Sequence, residues 1–521
     1  MAEKIITIQN ILGGLRPSSQ FAGSGQYGPS LGIDPDLPIT DSDTEPSGII
    51  RPSAVEAFSS TNIDDTPLWF ITNPKDTKIR MYTENGKLVS YTNALATETL
   101  DTTATTASGN GAAYYDDYIY LAKDTTIARF GTLSGGSPSV TQSYWVTTLS
   151  LTALTDTTYP TVGGVEMPNH VMHYHRSDDR LYFCDVNSSG VGIINFIQTT
   201  GGGTNAGSTY QALDFDNNLY PVALASLENN LVVGLIDGTD ITAEQNRAVL
   251  SVWDGAATAP LNLVQREFPD PLITALLNVN GVIWVFSGSA QGGCRVTQYF
   301  GGFNFQEVAY IPYVLPPLQG AVDHKMGRVS FGTRTTKPST APVVVSIGSK
   351  FPGMSRGVHI THYPSISGNN PYVSALKYAT QEGPALLTPI IGVRSDSADD
   401  LYKRSTTYSP GSADNVWTSE KFRIGRNFTI KKVELSLSTA VASNITITPT
   451  ITVDNGATAY TGSTYNLAAI DSSSGHNGKR KINLYPQGVN GEHNFEISFT
   501  FSGSALCGIG MPIVITYEDN E

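Results

Sequence analysis

The strongest constraint on this chain is a unit that recurs along most of its length: a turn of Asn, Asp or Gly, then a short dense run of β-branched and aromatic residues. The clearest copy is Val279–Phe286, VNGVIWVF. Asn280 and Gly281 both tolerate the positive φ of a type I′ turn, which makes them a strong short-range hairpin signal. Val282–Phe286 carries no charge and suits a strand covered on both faces better than one with a wet side. Trp284 is therefore read as a core residue packed between neighbouring units, not as part of a ligand site.

The first apolar residues of successive units are Leu68, Tyr118, Leu181, Leu231, Val282, Val329 and Leu386, separated by 50, 63, 50, 51, 47 and 57 residues. A period near 50 with several strands per unit is the pattern of propeller blades, whereas sandwiches in series need about 100 residues each. Residues 50–410 are thus predicted to form a β-propeller of about seven blades. A propeller must close its ring, and Ile50–Phe58 (IRPSAVEAF) is the natural strand to complete the blade made by Val373–Arg404. Closure removes an edge that would otherwise template aggregation. Thr102–Gly111 and Thr199–Ser208 read as surface loops.

After a linker near Tyr408–Asn415, residues 411–521 alternate apolar and polar through Phe422–Leu437, Ile445–Val453 and Phe495–Phe501. That alternation predicts an antiparallel β-sandwich, jelly-roll-like in outline. Residues 1–49 read as an extended arm. Ile5, Ile8 and Ile11 are more apolar anchors than a solvated tail needs, while Asp34, Asp36, Asp41, Asp43 and Glu45 occur with no base between Arg16 and Arg51. The arm is expected to lie along its own domain or a neighbouring subunit. No long amphipathic helix interrupts the pattern, so the chain is expected to be all-β.

Net charge is −14, and charged residues make up only 15% of the chain. An acidic surface resists non-specific attachment to nucleic acid and to anionic membranes. That argues against a conventional DNA-binding module, though not against a wall past which DNA slides. Cys184, Cys294 and Cys507 are too few and too far apart for a disulfide framework and read as free, mostly buried thiols. The opening MAEKIITIQNILGG has no long apolar signal region, and no run of about 18 apolar residues occurs. Synthesis in a reducing cytosol, without signal peptide or membrane segment, is the expectation.

Candidate chemistry fails motif by motif. Ser412–Thr418 (SADNVWT) approaches the sialidase-type Asp box but lacks its Gly and occurs once, and Trp253–Asp254 stands alone before a turn. Asp214–Asn218 begins like a calcium loop, but Leu219 and Ala225 stand where that loop needs Gly and a bidentate Glu. His173 and His175 share one face of a strand, and His359 and His362 are close in sequence, yet no carboxylate or cysteine completes a zinc set. No phosphate loop, nucleophile elbow or Cys-His constellation appears. No catalytic residue, metal ligand or cofactor is expected, although a glycosidase carboxylate pair assembled only by the fold would leave no trace in sequence.

Lys421, Arg423, Arg426, Lys431 and Lys432 form a basic cluster. It reads either as a solvated outer face or as a docking surface for an acidic neighbour, with the 34–45 arm of a sister subunit as one candidate.

The opening Ile8-Gln9-Asn10-Ile11-Leu12-Gly13-Gly14-Leu15 and the entry Gly48-Ile49-Ile50-Arg51-Pro52-Ser53, with the order arm, propeller, sandwich, resemble the propeller-bearing tail proteins of tailed bacteriophages, of the podovirus nozzle or hub type. The resemblance implies a non-enzymatic virion structural protein made in the host cytoplasm. It implies a ring of identical subunits, commonly six, that adjoins other tail or portal-proximal proteins. Double-stranded DNA would pass through without specific binding during ejection. A propeller glycan hydrolase or lyase, and a receptor- or carbohydrate-binding virion protein, are the alternatives.

Overall fold

Ten sheets form among the described residues, and seven of them are the blades of one propeller. The computed structural model describes residues 3–8, 14–15, 26–27, 30, 49–50, 55–57, 63, 65–72, 78–91, 95–97, 111–123, 126–141, 144, 161–168, 170–187, 189–199, 205–237, 247–255, 265–325, 328–336, 340–348, 357–363, 366, 368, 370–378, 389–395, 400–404, 415–437, 445–454, 456–461, 465–466, 480–503 and 509–520.

Blade 1 takes strands Pro67–Ile71, Ile79–Thr83, Leu88–Tyr91 and Leu95–Thr97, and blade 2 takes Ala112–Tyr115, Tyr118–Lys123, Thr126–Gly131 and Ser139–Thr141. Blade 3 is Met172–His175, Arg180–Val186, Val191–Thr199 and Asn205–Asn217; blade 4 is Leu219–Leu227, Asn230–Asp237, Val249–Trp253 and Gln265–Glu267. Blade 5 is Leu272–Val279, Val282–Ser289, Gly292–Tyr299 and Phe305–Ile311. Blade 6 begins with Val322–Lys325, Arg328–Arg334, Pro342–Ile347 and Val358–His362. Blade 7 joins Tyr372–Lys377, Ile390–Arg394 and Asp400–Arg404 to Val55–Ala57. The first strands of consecutive blades touch one another all the way round, blade 7 to blade 1 included, so they form the inner ring.

The predicted closure is present over Val55–Ala57, which pairs antiparallel with the third strand of blade 7, Glu56 opposite Lys403, whereas Ile50 of the predicted closing strand pairs with the sandwich instead. Tyr118, Leu181, Val282 and their counterparts in blades 4 and 6 open the second strand of each blade. Leu68 instead lies in the first strand of blade 1, one strand out of phase, because that inner strand is as densely apolar as the one after it. In blade 7 the second strand is Ile390–Arg394, and Leu386 lies outside the described residues. Within the stretch read as a loop, Asn205–Ser208 is instead strand, since the third and fourth strands of blade 3 continue pairing as far as Thr199 opposite Asn205.

Asn280 and Gly281 hold φ of 53° and 81°, as a type I′ turn requires. The strand they start is buried on both faces. Trp284 and Phe286 belong to one apolar cluster with Phe331 and Val345 of blade 6, and the Phe286 and Phe331 rings meet edge-on at 5.2 Å. Removing such side chains from water is worth ~1.5–3 kcal/mol each, and the blades are held largely by this term.

Polar side chains then tie every joint. Tyr82 donates to the Ala122 carbonyl at 2.6 Å (blades 1 and 2), and Tyr115 donates to the Asp179 carbonyl at 2.8 Å (blades 2 and 3). His173 and His175 meet Ser226 (blades 3 and 4), and the Asn278 amide donates to the Ser226 carbonyl (blades 4 and 5). Gln319, in the short turn entering blade 6, donates to and accepts from the backbone of Leu276 in blade 5, both at 2.8 Å. The Tyr378 amide donates to Asp323 at 2.9 Å (blades 6 and 7), and Ser374 donates to the Pro67 carbonyl at 2.6 Å across the closing joint.

The sandwich faces two sheets: Phe428–Leu437, Arg480–Leu484 and Ile509–Asp519 in one, and Asn415–Thr418, Ile445–Val453, Ala457–Thr461 and Asn494–Gly503 in the other. The chain crosses between them repeatedly, which gives the jelly-roll-like connectivity, and Trp417, Phe428, Phe495 and Phe499 fill the space between. The arm laces these parts together. Glu3–Ile8 and Ile49–Ile50 both pair with Ile509–Asp519 of the sandwich. Gly14–Leu15 adds in parallel to the outer strand of blade 6, with Gln26–Tyr27 beside it, and Ser30 accepts from the Thr418 amide at 3.0 Å.

Candidate functional site at the joined chain ends

The arm residues and the basic cluster converge on one edge of the sandwich. Strand Glu3–Ile8 lies antiparallel on the last strand, with Lys4 opposite Tyr517, Ile6 opposite Ile515 and Ile8 opposite Ile513. A strand alternates faces with period two, so residues three apart point opposite ways. Ile8 is 5% exposed and closes the core of its own sandwich, while Ile5 is 66% exposed. Of the two expected placements of the arm, along its own domain or a neighbouring subunit, Glu3–Ile8 takes the first: Ile8 packs within its own chain, and Ile5 faces outward. Ile11, Asp34 and Asp36 lie outside the described residues.

The basic cluster meets acids, and those seen here belong to the same chain. Arg426 contacts Asp519 at 3.2 Å, Lys4 bonds the same carboxylate oxygen, and Lys431 contacts Glu518 at 2.8 Å. Lys432 pairs with Glu434 at 2.9 Å. The cationic partners are partly solvated, so the pairs add little stability; those of Lys4, Arg426 and Lys431 reach the last strand and help fix its place, whereas Lys432 and Glu434 lie on one strand. Arg423 is exposed and Lys421 half-buried, flanking Phe422, whose ring packs on Phe495 at 5.1 Å.

The inner ring is the other place a ligand would meet the propeller. Among the described residues its seven strands carry one carboxylate, Asp323, held by Lys377 at 3.2 Å and by the Tyr378 amide. His173 and His175 share a face, as expected, and converge on Ser226. His359 and His362 do not act as a pair: both are buried in the outer strand of blade 6, three apart and so on opposite faces, and burial lowers His362 to about 3. Asp214–Asn218 runs through the end of the last strand of blade 3 into the turn toward blade 4. Trp417 of the Asp-box-like stretch is sandwich core, not a blade hairpin. Cys184 and Cys294 are free and buried, and burial pushes both thiols up; Cys507 lies outside the described residues. No group of three or more His, Cys, Asp or Glu gathers among the described residues.

Ser226, Asn229 and Asn278 were not anticipated from the sequence. The signal for two of them lies in the inner strands LYPVALASL and LITALLNV, where Ser226 and Asn278 are polar residues near the end of otherwise apolar runs. A polar group there needs a partner, and the next blade supplies it.

No protein-family model matches the chain, and no curated protein matches it. Among solved structures it is similar to YCF48 bound to D1 peptide, at 11% identity and a TM-score of 0.40, over 68% of this chain and 97% of that one. It is also similar to the WD40 β-propeller domain of Doa1, at 10% identity and a TM-score of 0.40, over 68% of this chain and 98% of that one. An exo-β-1,3-galactanase from Phanerochaete chrysosporium matches at 9% identity and a TM-score of 0.30, over 89% of this chain and 100% of that one. Likeness at this level assigns this chain no substrate and no partner.

Proposed function

We propose that the chain is a non-enzymatic structural subunit of a bacteriophage tail, of the nozzle, hub or adaptor type. Copies of it form a ring, commonly six-fold in the tail proteins it resembles, that adjoins other tail or portal-proximal proteins and lines part of the DNA ejection channel. The observation that carries this reading is the lacing of the arm. The segments resembling phage tail proteins, Ile8–Leu15 and Gly48–Ser53, are where the chain ties blade 6 and the sandwich together through Gly14–Leu15 and Ile49–Ile50. A propeller closed by its own N-terminal strand, with a polar tie at each joint, suits a body that bears load. The net charge of −14 suits a wall that repels phosphate and lets duplex DNA slide. Assembly in the host cytoplasm before lysis fits free thiols.

Electron micrographs of the purified chain, with a polysaccharide-cleavage assay on the same sample, test the proposal. Rings without cleavage support it. A strict monomer that cleaves polysaccharide overturns it in favour of the glycan hydrolase.

A further inference from the structure

Among the described residues, the sandwich exposes two large apolar side chains, Ile5 at 66% and Tyr485 at 62%. They stand at opposite edges of one sheet. That sheet runs in the order Glu3–Ile8, Ile509–Asp519, Phe428–Leu437 and Arg480–Leu484, each strand antiparallel to the next. Ile5 is opposite Thr516, and Thr516 is opposite Lys432. Val433 is opposite Leu484, so the next residue, Tyr485, comes beside Lys432, the two being close enough to interact. Ile6, Ile515, Val433 and Leu484 pack into the core cluster. Ile5, Thr516, Lys432 and Tyr485 therefore form one cross-strand row on the face turned away from that core.

We propose that this row continues from copy to copy: the outer edge of Glu3–Ile8 adds to the outer edge of Arg480–Leu484 in a second copy of this chain, with Ile5 of one beside Tyr485 of the other. The inference rests on the ring proposed above and names the seam that would build it. Among the described residues, neither edge strand has a partner on its outer side. Both keep an unbroken register with their inner neighbour, so no bulge twists either edge away, and Glu3–Ile8 contains no proline. Its one lysine, Lys4, is tied back to Asp519 of the same chain. Such an edge lacks the usual guards against strand addition.

Direction and side-chain chemistry both favour a second copy as the occupant. Three antiparallel steps separate the two edges, so they run in opposite directions. A copy related by rotation about an axis along the strands then presents its edge antiparallel, as hairpin-like pairing requires. Because the two edges differ, the contact is head-to-tail and can repeat around a ring, whereas a two-fold contact would stop at a dimer. With Ile5 beside Tyr485, Ile6 comes opposite Leu484 and Thr7 opposite Asn483. Apolar residues then meet on the core face, polar ones on the outer face, and no like charges are set against each other. An aromatic beside a β-branched residue is a favoured cross-strand pair. Pro486, just beyond, ends the ladder.

The test is cross-linking of the full chain with a short bismaleimide, in a Cys507→Ser background because Cys184 and Cys294 are buried. A chain carrying both Ile5→Cys and Tyr485→Cys should give a ladder at multiples of 55.7 kDa on a denaturing gel. The two positions of one copy lie three strands, ~14 Å, apart and do not compete for a short linker. Either cysteine alone should give no ladder, and all three variants should melt with the parent chain, because both side chains are exposed. Dimers from Ile5→Cys alone would show two arm strands side by side and overturn the seam. An oligomer in light scattering whose double variant gives no ladder would also overturn it, while leaving the ring standing. A strict monomer in light scattering would overturn the ring, and the seam with it.

Discussion

Gly332 faces Val373 so closely that a Cβ at position 332 would lie 2.2 Å from Val373 Cγ1. Gly332 is in the second strand of blade 6 and Val373 in the first strand of blade 7, so the absent side chain sets the distance between the blades. The closing joint repeats the arrangement, where a Cβ on Gly392 would lie 2.7 Å from Pro67. Gly332→Ala is expected to wedge the joint and destabilise the propeller by about 1–3 kcal/mol, read as a lower denaturation midpoint at unchanged slope.

The parity of the arm strand separates two isoleucines of identical chemistry. Ile8→Ala should cost ~2–5 kcal/mol in the unfolding of the sandwich, because it opens a cavity in a closed core. Ile5→Ala should change stability by less than about 0.5 kcal/mol, because the side chain is exposed. If Ile5 contributes to ring contacts, its effect will register in assembly and not in monomer unfolding.

Acid should weaken the fold in a defined window. His173 is lowered to about 4 by burial and by His175, and His362 to about 3 by burial, against about 6.5 in an unfolded chain. Both rings are neutral in the fold, so their contribution is full above pH 6.5 and is lost as pH falls toward 4 and then 3. Denaturation midpoints between pH 7 and pH 4 should fall steadily, and His362→Gln should flatten part of that slope. A midpoint independent of pH across the window would contradict the assignment.

Ring closure has its own signature. Adjacent residues in a strand point their amides to opposite sides, so one of Val55 and Glu56 must donate toward Asp400–Arg404. Of Val55→Pro and Glu56→Pro, one should break the ladder and speed hydrogen exchange in Asp400–Arg404 while leaving Asn494–Gly503 of the sandwich protected.

Much of this fold was legible because its signals are local. Asn280–Gly281 announces its turn by residue type alone, and the apolar run after it announces burial on both faces. Val55–Ala57 was found because a ring of blades demands a closing strand. Other features were hidden for physical reasons. Leu68 falls one strand out of phase with the other repeat markers because inner and second strands are equally apolar. The pairings of Gly14–Leu15 and Gln26–Tyr27 involve two residues each, too few to show any period. The convergence of His173, His175 and Ser226 joins residues about fifty apart, which only the blade packing brings together. At the chain ends, the sequence leaves the basic cluster open between a solvated outer face and an acidic neighbour, and Glu518 and Asp519 of the last strand supply the contacts described, because only the fold brings the C-terminal strand beside it.

The mass of the purified chain in solution, measured by light scattering across a range of concentrations, tests the central proposal most directly. A tail ring subunit should give a whole-number multiple of 55.7 kDa, six-fold if the phage resemblance carries over, and Ile5→Ser should reduce it. A mass of 55.7 kDa at every concentration would contradict the proposal.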